Sequence, residues 1–287
     1  MSDLIAPFDV EGTILSTYRW RFLAEGDSWF SIGDSLVFST SNLLAELIHE
    51  LTQHDVIVNC ARPGDTLAHM SQMWSDPNFT GLLDGPIRRP WDGILISAGG
   101  NDVIDACLVA PDAPPDRRLL LGASERNASV PTPERYISPA GWQLFERYFD
   151  ANVQLLVDRR EASPSHSGNW RAPLVFHTYR RPVVRNVPPV LPGPWLFRAM
   201  SQYDVPKADR QALADELFDR LRALLLAWHR PADRVLVFDS ARVSALVAAD
   251  PDAPGASGDW INEIHPTAKG YRKLAEPFAA FIERNMP

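Results

Sequence analysis

The sequence predicts an α/β fold, a parallel, doubly wound sheet with helices on both faces. Two observations carry this reading. Five short runs are nearly all apolar and rich in β-branched residues, which is how strands buried on both faces look. Helical stretches separate them, and strands that alternate with helices assemble into a parallel sheet.

The first strand, Phe22–Ala24, breaks at Gly26-Asp27-Ser28, where the glycine marks entry into a loop. A helix follows over Asn42–His49, with Leu43, Leu44, Leu47 and Ile48 on one face. Val56–Val58 is the second strand, closed by Asn59-Cys60-Ala61-Arg62-Pro63-Gly64. Gly93–Ser97 is the third and ends in Gly99-Gly100-Asn101-Asp102. From about Trp142 to Val157 the helical period returns through Leu144, Phe145, Tyr148, Phe149, Leu155 and Leu156. Leu174–Tyr179 is the fourth strand. The clearest helix runs from about Lys207 to His229, with Leu213, Leu217, Leu221, Leu224, Leu225 and Trp228 in phase, Asp204 as its N-cap and Pro231 just beyond its end. Arg234–Phe238 is the fifth strand. The last helix starts at Thr267 and carries Tyr271, Leu274, Phe278, Phe281 and Ile282, with a kink expected at Pro277. Three stretches stand outside this alternation: Val103–Ala140, Ala162–Ala172 and Arg180–Val205. They read as insertions at the edge of a single domain, residues 1–287, rather than as linkers.

The 287 residues are 45% hydrophobic and 22% charged, with a formal net charge of -8. That is an ordinary globular mixture, and its acidity disfavours nucleic acid and anionic membrane surfaces as partners. Cys60 and Cys107 are too few for a disulfide scaffold and stand in no metal-ligand spacing. Both read as small buried hydrophobes. Met1–Trp20 lacks a basic segment followed by an apolar one, and no apolar run is long enough to span a bilayer. A cytoplasmic, reduced protein is therefore the expectation. No phosphate-loop, dinucleotide or His-Glu-x-x-His pattern occurs, so no metal or cofactor is expected, and no Gly-x-Ser-x-Gly elbow is present.

Open α/β sheets bind ligands beyond the C-terminal ends of their strands. Ser28 stands at such an end, placed like a nucleophile, and a serine in that role needs a base within hydrogen-bond reach. Gly-Asp-Ser recurs at Gly33–Ser35, but only the first copy follows a strand, which favours Ser28 over Ser35. Taken alone, Ser28 also fits a helix N-cap or a turn. Gly64, after the second strand, offers a backbone N–H that no side chain screens. Asn101, after the third, offers a side-chain amide. Singly each fits a turn residue, but with the Ser28 N–H they make three donors able to converge on one oxyanion. Of the seven histidines, His265 lies in Asp259-Trp260-Ile261-Asn262-Glu263-Ile264-His265-Pro266, on a loop beside the last helix. His177, inside the fourth strand, reads as a core residue.

These blocks resemble the SGNH hydrolase superfamily, the GDSL esterases and lipases. Gly26-Asp27-Ser28 matches the first family block, Gly64 the second, Gly99-Gly100-Asn101-Asp102 the third and His265-Pro266 the last, in the family's order over nearly the whole chain. The resemblance implies a three-layer α/β/α sandwich on a mostly parallel, flavodoxin-like, five-stranded sheet. It implies Ser28 as nucleophile, His265 as base and Ser28, Gly64 and Asn101 as oxyanion donors. The family's last block places an aspartate three residues before the histidine, and this chain has Asn262 there. Asn262 is the first candidate to orient His265, through its amide oxygen, as in Cys-His-Asn sites. Asp259 and Glu263 are the others. The expected function is a serine ester hydrolase acting on a small or acylated substrate without metal or cofactor. A thioesterase or carbohydrate O-deacetylase on the same site, or a non-catalytic binding module, are the alternatives.

Overall fold

The computed structural model describes residues 2–31, 41–72, 74–187 and 194–286. The second Gly-Asp-Ser copy, with Ser35, lies outside the described residues. Six strands form one sheet: β1 (Asp3–Ile5), β2 (Arg21–Gly26), β3 (Val56–Asn59), β4 (Gly93–Ser97), β5 (Leu174–His177) and β6 (Val235–Phe238). All pairings are parallel, in the order β1-β3-β2-β4-β5-β6. The expected five strands are thus corrected to six. The extra one, β1, is a three-residue edge strand beside β3, with two apolar residues and no periodicity to read.

Nine helices connect and cover the strands among the described residues: α1 (Ser28–Ser31), α2 (Leu43–Glu50), α3 (Leu67–Met70), α4 (Pro77–Leu83), α5 (Gly100–Leu108), α6 (Pro139–Ala162), α7 (Leu196–Gln202), α8 (Lys207–Ala227) and α9 (Ala268–Asn285). On one face α2 packs against α9, whose Phe278 stacks on Phe238 of β6 and meets His177 of β5 edge-on. On the other, Phe149 of α6 and Leu221 of α8 close around Gly99 at the end of β4. Three helices, α2, α6 and α9, start where side chains supply the missing acceptors. Asn42 Oδ1 takes the Ala45 N–H at 2.8 Å, Ser138 Oγ the Gly141 N–H at 3.1 Å and Thr267 Oγ1 the Gly270 N–H at 3.1 Å. None of the described helices is long and apolar enough to cross a membrane.

Two local expectations change. Val103–Leu108 continue α5 and Pro139 opens α6, so the irregular stretch is 109–138, which contains short 3-10 turns. The helix expected from about Lys207 does start there, but Pro206 and not Asp204 occupies the N-cap position, and Asp204 has a φ of 52°. Pro277 sits inside α9 without ending it. Cys60 and Cys107 are buried and free, as expected, and His177 is a fully buried core residue.

The chain reverses direction across the sheet at β2, with β3 on one side and β4 on the other. Such a switch point opens a crevice at the strand ends. Gly26 ends β2 there, and a Cβ added to it would lie 2.7 Å from Ser97 Cβ and 2.8 Å from Ser97 O. The backbones of β2 and β4 can approach this closely only without a side chain. Gly26→Ala is expected to destabilise the fold by about 1–3 kcal/mol, the usual range for overpacking, seen as a lower denaturant midpoint with an unchanged slope.

Candidate active site

Gly26 and Asp27 carry the chain from β2 directly into α1, whose first residue is Ser28. Asp27 fixes this turn. Its Oδ1 accepts from the Trp29 N–H at 2.9 Å and from Ser97 Oγ at 2.8 Å, and its Oδ2 accepts from the Tyr179 hydroxyl at 2.6 Å. Burial pushes the Asp27 carboxyl up to about 6, against the pull of Tyr179, Trp29 and Ser97. Three strand ends, those of β2, β4 and β5, are thereby tied to one carboxyl group.

Ser28 Oγ lies 2.7 Å from His265 Nε2. The two residues are 237 positions apart in the chain, so the tertiary fold alone brings them together. A second link holds the two loops: the Trp29 indole donates to the Ile264 carbonyl at 3.1 Å. Trp29 is itself wedged between His177, which it stacks on, and Tyr271 of α9, which it meets edge-on. His265 is 2% exposed, and burial drives its imidazolium down to about 3. The ring is therefore neutral at ordinary pH and can accept a proton.

Asn262 reaches the other ring nitrogen. Its Oδ1 lies 3.1 Å and its Nδ2 3.0 Å from His265 Nδ1. The same Oδ1 accepts the backbone N–H groups of Ile264 and His265 at 3.0 and 2.9 Å, which fixes the amide against a flip. With Nδ1 protonated the ring donates to Oδ1 and leaves Nε2 free to accept from Ser28. With Nε2 protonated, the Asn262 NH2 can donate to Nδ1 instead. An amide thus accommodates both tautomers, where a carboxylate would favour only the first.

The other two candidates for this role are engaged elsewhere. Asp259 Oδ2 accepts from Lys273 Nζ at 2.6 Å and from the Val247 N–H at 2.7 Å. Burial works to raise the Asp259 carboxyl, but Lys273 and the Val247 N–H outweigh it and hold it below the usual range. Glu263 accepts the N–H groups of Trp195 at 2.7 Å, Leu196 at 2.9 Å and Phe197 at 2.8 Å. It caps the start of α7 and so pins the 194–202 segment to the histidine loop. Burial raises its carboxyl to about 7, although the three N–H donors act in the opposite direction. The pinned Trp195 presents its indole edge-on to His265, with ring centroids 5.3 Å apart.

Of the expected oxyanion donors, Asn101 lies in the first turn of α5 and lines the crevice with Ser28, Ile104, Tyr179 and Pro182. Its Nδ2 donates to the Asp65 carbonyl at 2.9 Å, joining α5 to the loop that carries Gly64. Gly64 has a φ of 86° and open space at its Cβ position, a conformation that glycine adopts without strain. Asp102, beside Asn101, accepts the Leu67 N–H at 3.2 Å and the Tyr148 hydroxyl at 2.5 Å, anchoring the same two elements from below. Sequence reasoning did not single out Tyr179, Ser97 or Trp29. Tyr179 follows β5 and Ser97 ends β4, the neighbour of β2, and the strand-end argument applied to Ser28 would have reached both. A cavity of about 910 Å³ lies beyond the crevice, and Arg180 and Pro182 line both.

The parallel six-stranded sheet, covered by helices on both faces, makes a three-layer α/β/α fold with a buried serine–histidine pair at its switch point. The family model for GDSL-like lipases and acylhydrolases matches residues 23–278, and the chain belongs to that family, whose members are hydrolases acting on esters. Among solved structures it is similar to a lipase from a goat rumen metagenome, at 14% identity and a TM-score of 0.53 over 91% of this chain and 96% of that one. It is also similar to a candidate arylesterase of Agrobacterium tumefaciens str. C58, at 13% identity and a TM-score of 0.53 over 93% and 100% of the two chains. These likenesses bear on the fold. No curated protein matches the chain.

Proposed function

We propose that the protein hydrolyses carboxylic esters through an acyl-enzyme on Ser28, with His265 as the general base. The observation that carries this reading is the 2.7 Å contact between Ser28 Oγ and His265 Nε2, made by a ring that burial keeps neutral. Ser28 Oγ attacks the acyl carbonyl as its proton passes to Nε2. The Ser28 and Gly64 N–H groups and the Asn101 amide hold the oxyanion, His265 protonates the departing alcohol, and water then repeats the cycle on the acyl-enzyme. Asn262 holds the Nδ1–H tautomer during both halves. No step calls for a metal or cofactor.

Turnover of p-nitrophenyl acetate and butyrate by the purified protein, with a fluorophosphonate adduct mapped to Ser28, tests the proposal. An adduct on another residue, or ester turnover that persists after complete Ser28 labelling, would overturn it. Parallel assays on thioesters and on acetylated sugars separate the ester classes on the same site.

The donor role of Asn101 gives a further expectation. Removing one oxyanion donor in other hydrolases costs roughly 10²–10³ in kcat. Asn101→Ala should lower kcat by about that factor with KM little changed. A parallel fall in Tm would mean that the bond to the Asp65 carbonyl, rather than the oxyanion, is what the side chain serves.

A further inference from the structure

Beside the Gly64 loop, three carboxylates converge. Glu25 comes from β2, one residue before Gly26; Asp65 follows Gly64; Asp76 caps α4. One oxygen from each lies within 4.8 Å of those of the other two. Glu25 and Asp76 are both 0% exposed, and the Asp65 side chain is 14% exposed.

What distinguishes this cluster from an ordinary acidic surface is its hydrogen bonding. Each carboxylate spends one oxygen on a neighbour: Glu25 Oε1 on the Gly26 N–H at 2.7 Å, Asp76 Oδ1 on the Phe79 N–H at 2.9 Å, and Asp65 Oδ1 faces His69 Nδ1 at 3.6 Å. The second oxygen of each, Glu25 Oε2, Asp65 Oδ2 and Asp76 Oδ2, is buried and meets no donor among the described residues. The nearest cation, Arg62, stands 3.9 Å from Asp76 Oδ1 and donates instead to the Ser75 carbonyl. Buried carboxylate oxygens left unpaired are strongly unfavourable. A proton shared by two carboxyls relieves two of these oxygens and leaves the third. A single cation relieves all three.

We propose that Glu25, Asp65 and Asp76 form a binding site for one divalent hard cation. The donors are all carboxylate oxygens, which select Ca2+, Mg2+ or Mn2+ over softer metals. Three carboxylate oxygens within 4.8 Å of one another can share one such ion, at metal–oxygen distances of about 2.0–2.6 Å. Three carboxylates supply more than enough charge, and the partly open Asp65 edge is the path for entry and for completing the shell with water. The site stands apart from the Ser28–His265 pair and takes no part in the chemistry. Its effect is to tie the end of β2 to the loop whose Asp65 carbonyl holds Asn101.

Titration of the chelator-stripped full-length protein with CaCl2, MgCl2 and MnCl2 tests the site, read by calorimetry and by thermal melting. Expected are one bound ion per chain, a saturable rise in Tm with at least one of the three ions, and at least a tenfold weaker Kd in Asp65→Asn, a variant that keeps the cap on α4 and the bond of Glu25. Either of two results would overturn the proposal: no binding and no Tm shift with any of the three ions at millimolar concentration, or a shift undiminished in Asp65→Asn. The first result together with a stabilised Glu25→Gln at neutral pH would assign the cluster to protons. Because binding and melting are read directly, these results stand whether or not the ester reaction proceeds as proposed.

Discussion

Ser28→Ala is expected to lower kcat for an activated ester by roughly 10⁴-fold or more, since losing the nucleophile of a serine hydrolase elsewhere costs on the order of 10⁶. Alanine fills the same place at the start of α1 without disturbing the Asp27 network, whose bonds run through the Trp29 N–H, Ser97 and Tyr179. The Tm should therefore change little, and the variant should still bind substrate and product. Ser35→Ala, in the second Gly-Asp-Ser copy, should retain most activity. Steady-state kinetics of the two variants beside their melting curves decide the matter. Near-parental turnover by the Ser28 variant would remove the assignment altogether.

Asn262 governs the second large effect. Its amide fixes the His265 ring through Oδ1 but carries no charge, and burial, with no carboxylate to offset it, holds the imidazolium down to about 3. Asn262→Ala should cut kcat by about 10²–10⁴, the upper end being the loss seen when the wrong histidine tautomer is favoured in a serine protease. Asn262→Asp should keep at least the parental kcat at neutral pH, because a carboxylate accepts from Nδ1–H, cannot donate to Nδ1, and steadies the imidazolium as it forms. The sign of the accompanying pH change is fixed. A base works when neutral, so activity falls as pH drops through its pKa. A nearby negative charge raises that pKa, and the acid limb of kcat/KM should move to higher pH in the aspartate variant. The parental limb should lie well below the ordinary histidine range. Asp259→Asn serves as the control: it breaks the pair with Lys273 and should lower Tm while leaving the pH profile in place. A pH profile unchanged in Asn262→Asp would show that residue 262 does not govern the base.

The parts of the site visible in the sequence were those written locally. A strand that ends in Gly-Asp-Ser, a loop that ends in Gly64, and a histidine just ahead of a helix are each patterns of a few residues, and their order along the chain placed Ser28, Asn101 and His265 on one edge of the sheet. Which acid or amide orients His265 was not written locally. Asn262 alone stands at the family's spacing but carries no charge, while Asp259 and Glu263 carry the charge without the spacing. What separates them is Lys273 on α9, which claims Asp259, and the start of α7, which claims Glu263. Both partners arrive through tertiary packing. The same holds for Tyr179, whose bond to Asp27 spans 152 positions. In the fold, β1 escaped notice because three residues on a sheet edge carry no period. The start of α8 at Lys207 was legible, but its cap was misassigned, because Asp204, a good capping residue by type, takes a left-handed conformation in the turn ahead of Pro206.

The links between Ser28 and His265 and between Trp29 and Ile264 span 237 and 235 positions. Contacts this remote close nearly the largest loop the chain can make. The entropy of that closure grows only slowly with length, but non-local pairings of this kind are among the slow events of folding. A chain with β2, β3 and β4 already paired would own its nucleophile and lack its base. On the proposed mechanism, a form in which the histidine loop and α9 have not docked has no base and is chemically silent.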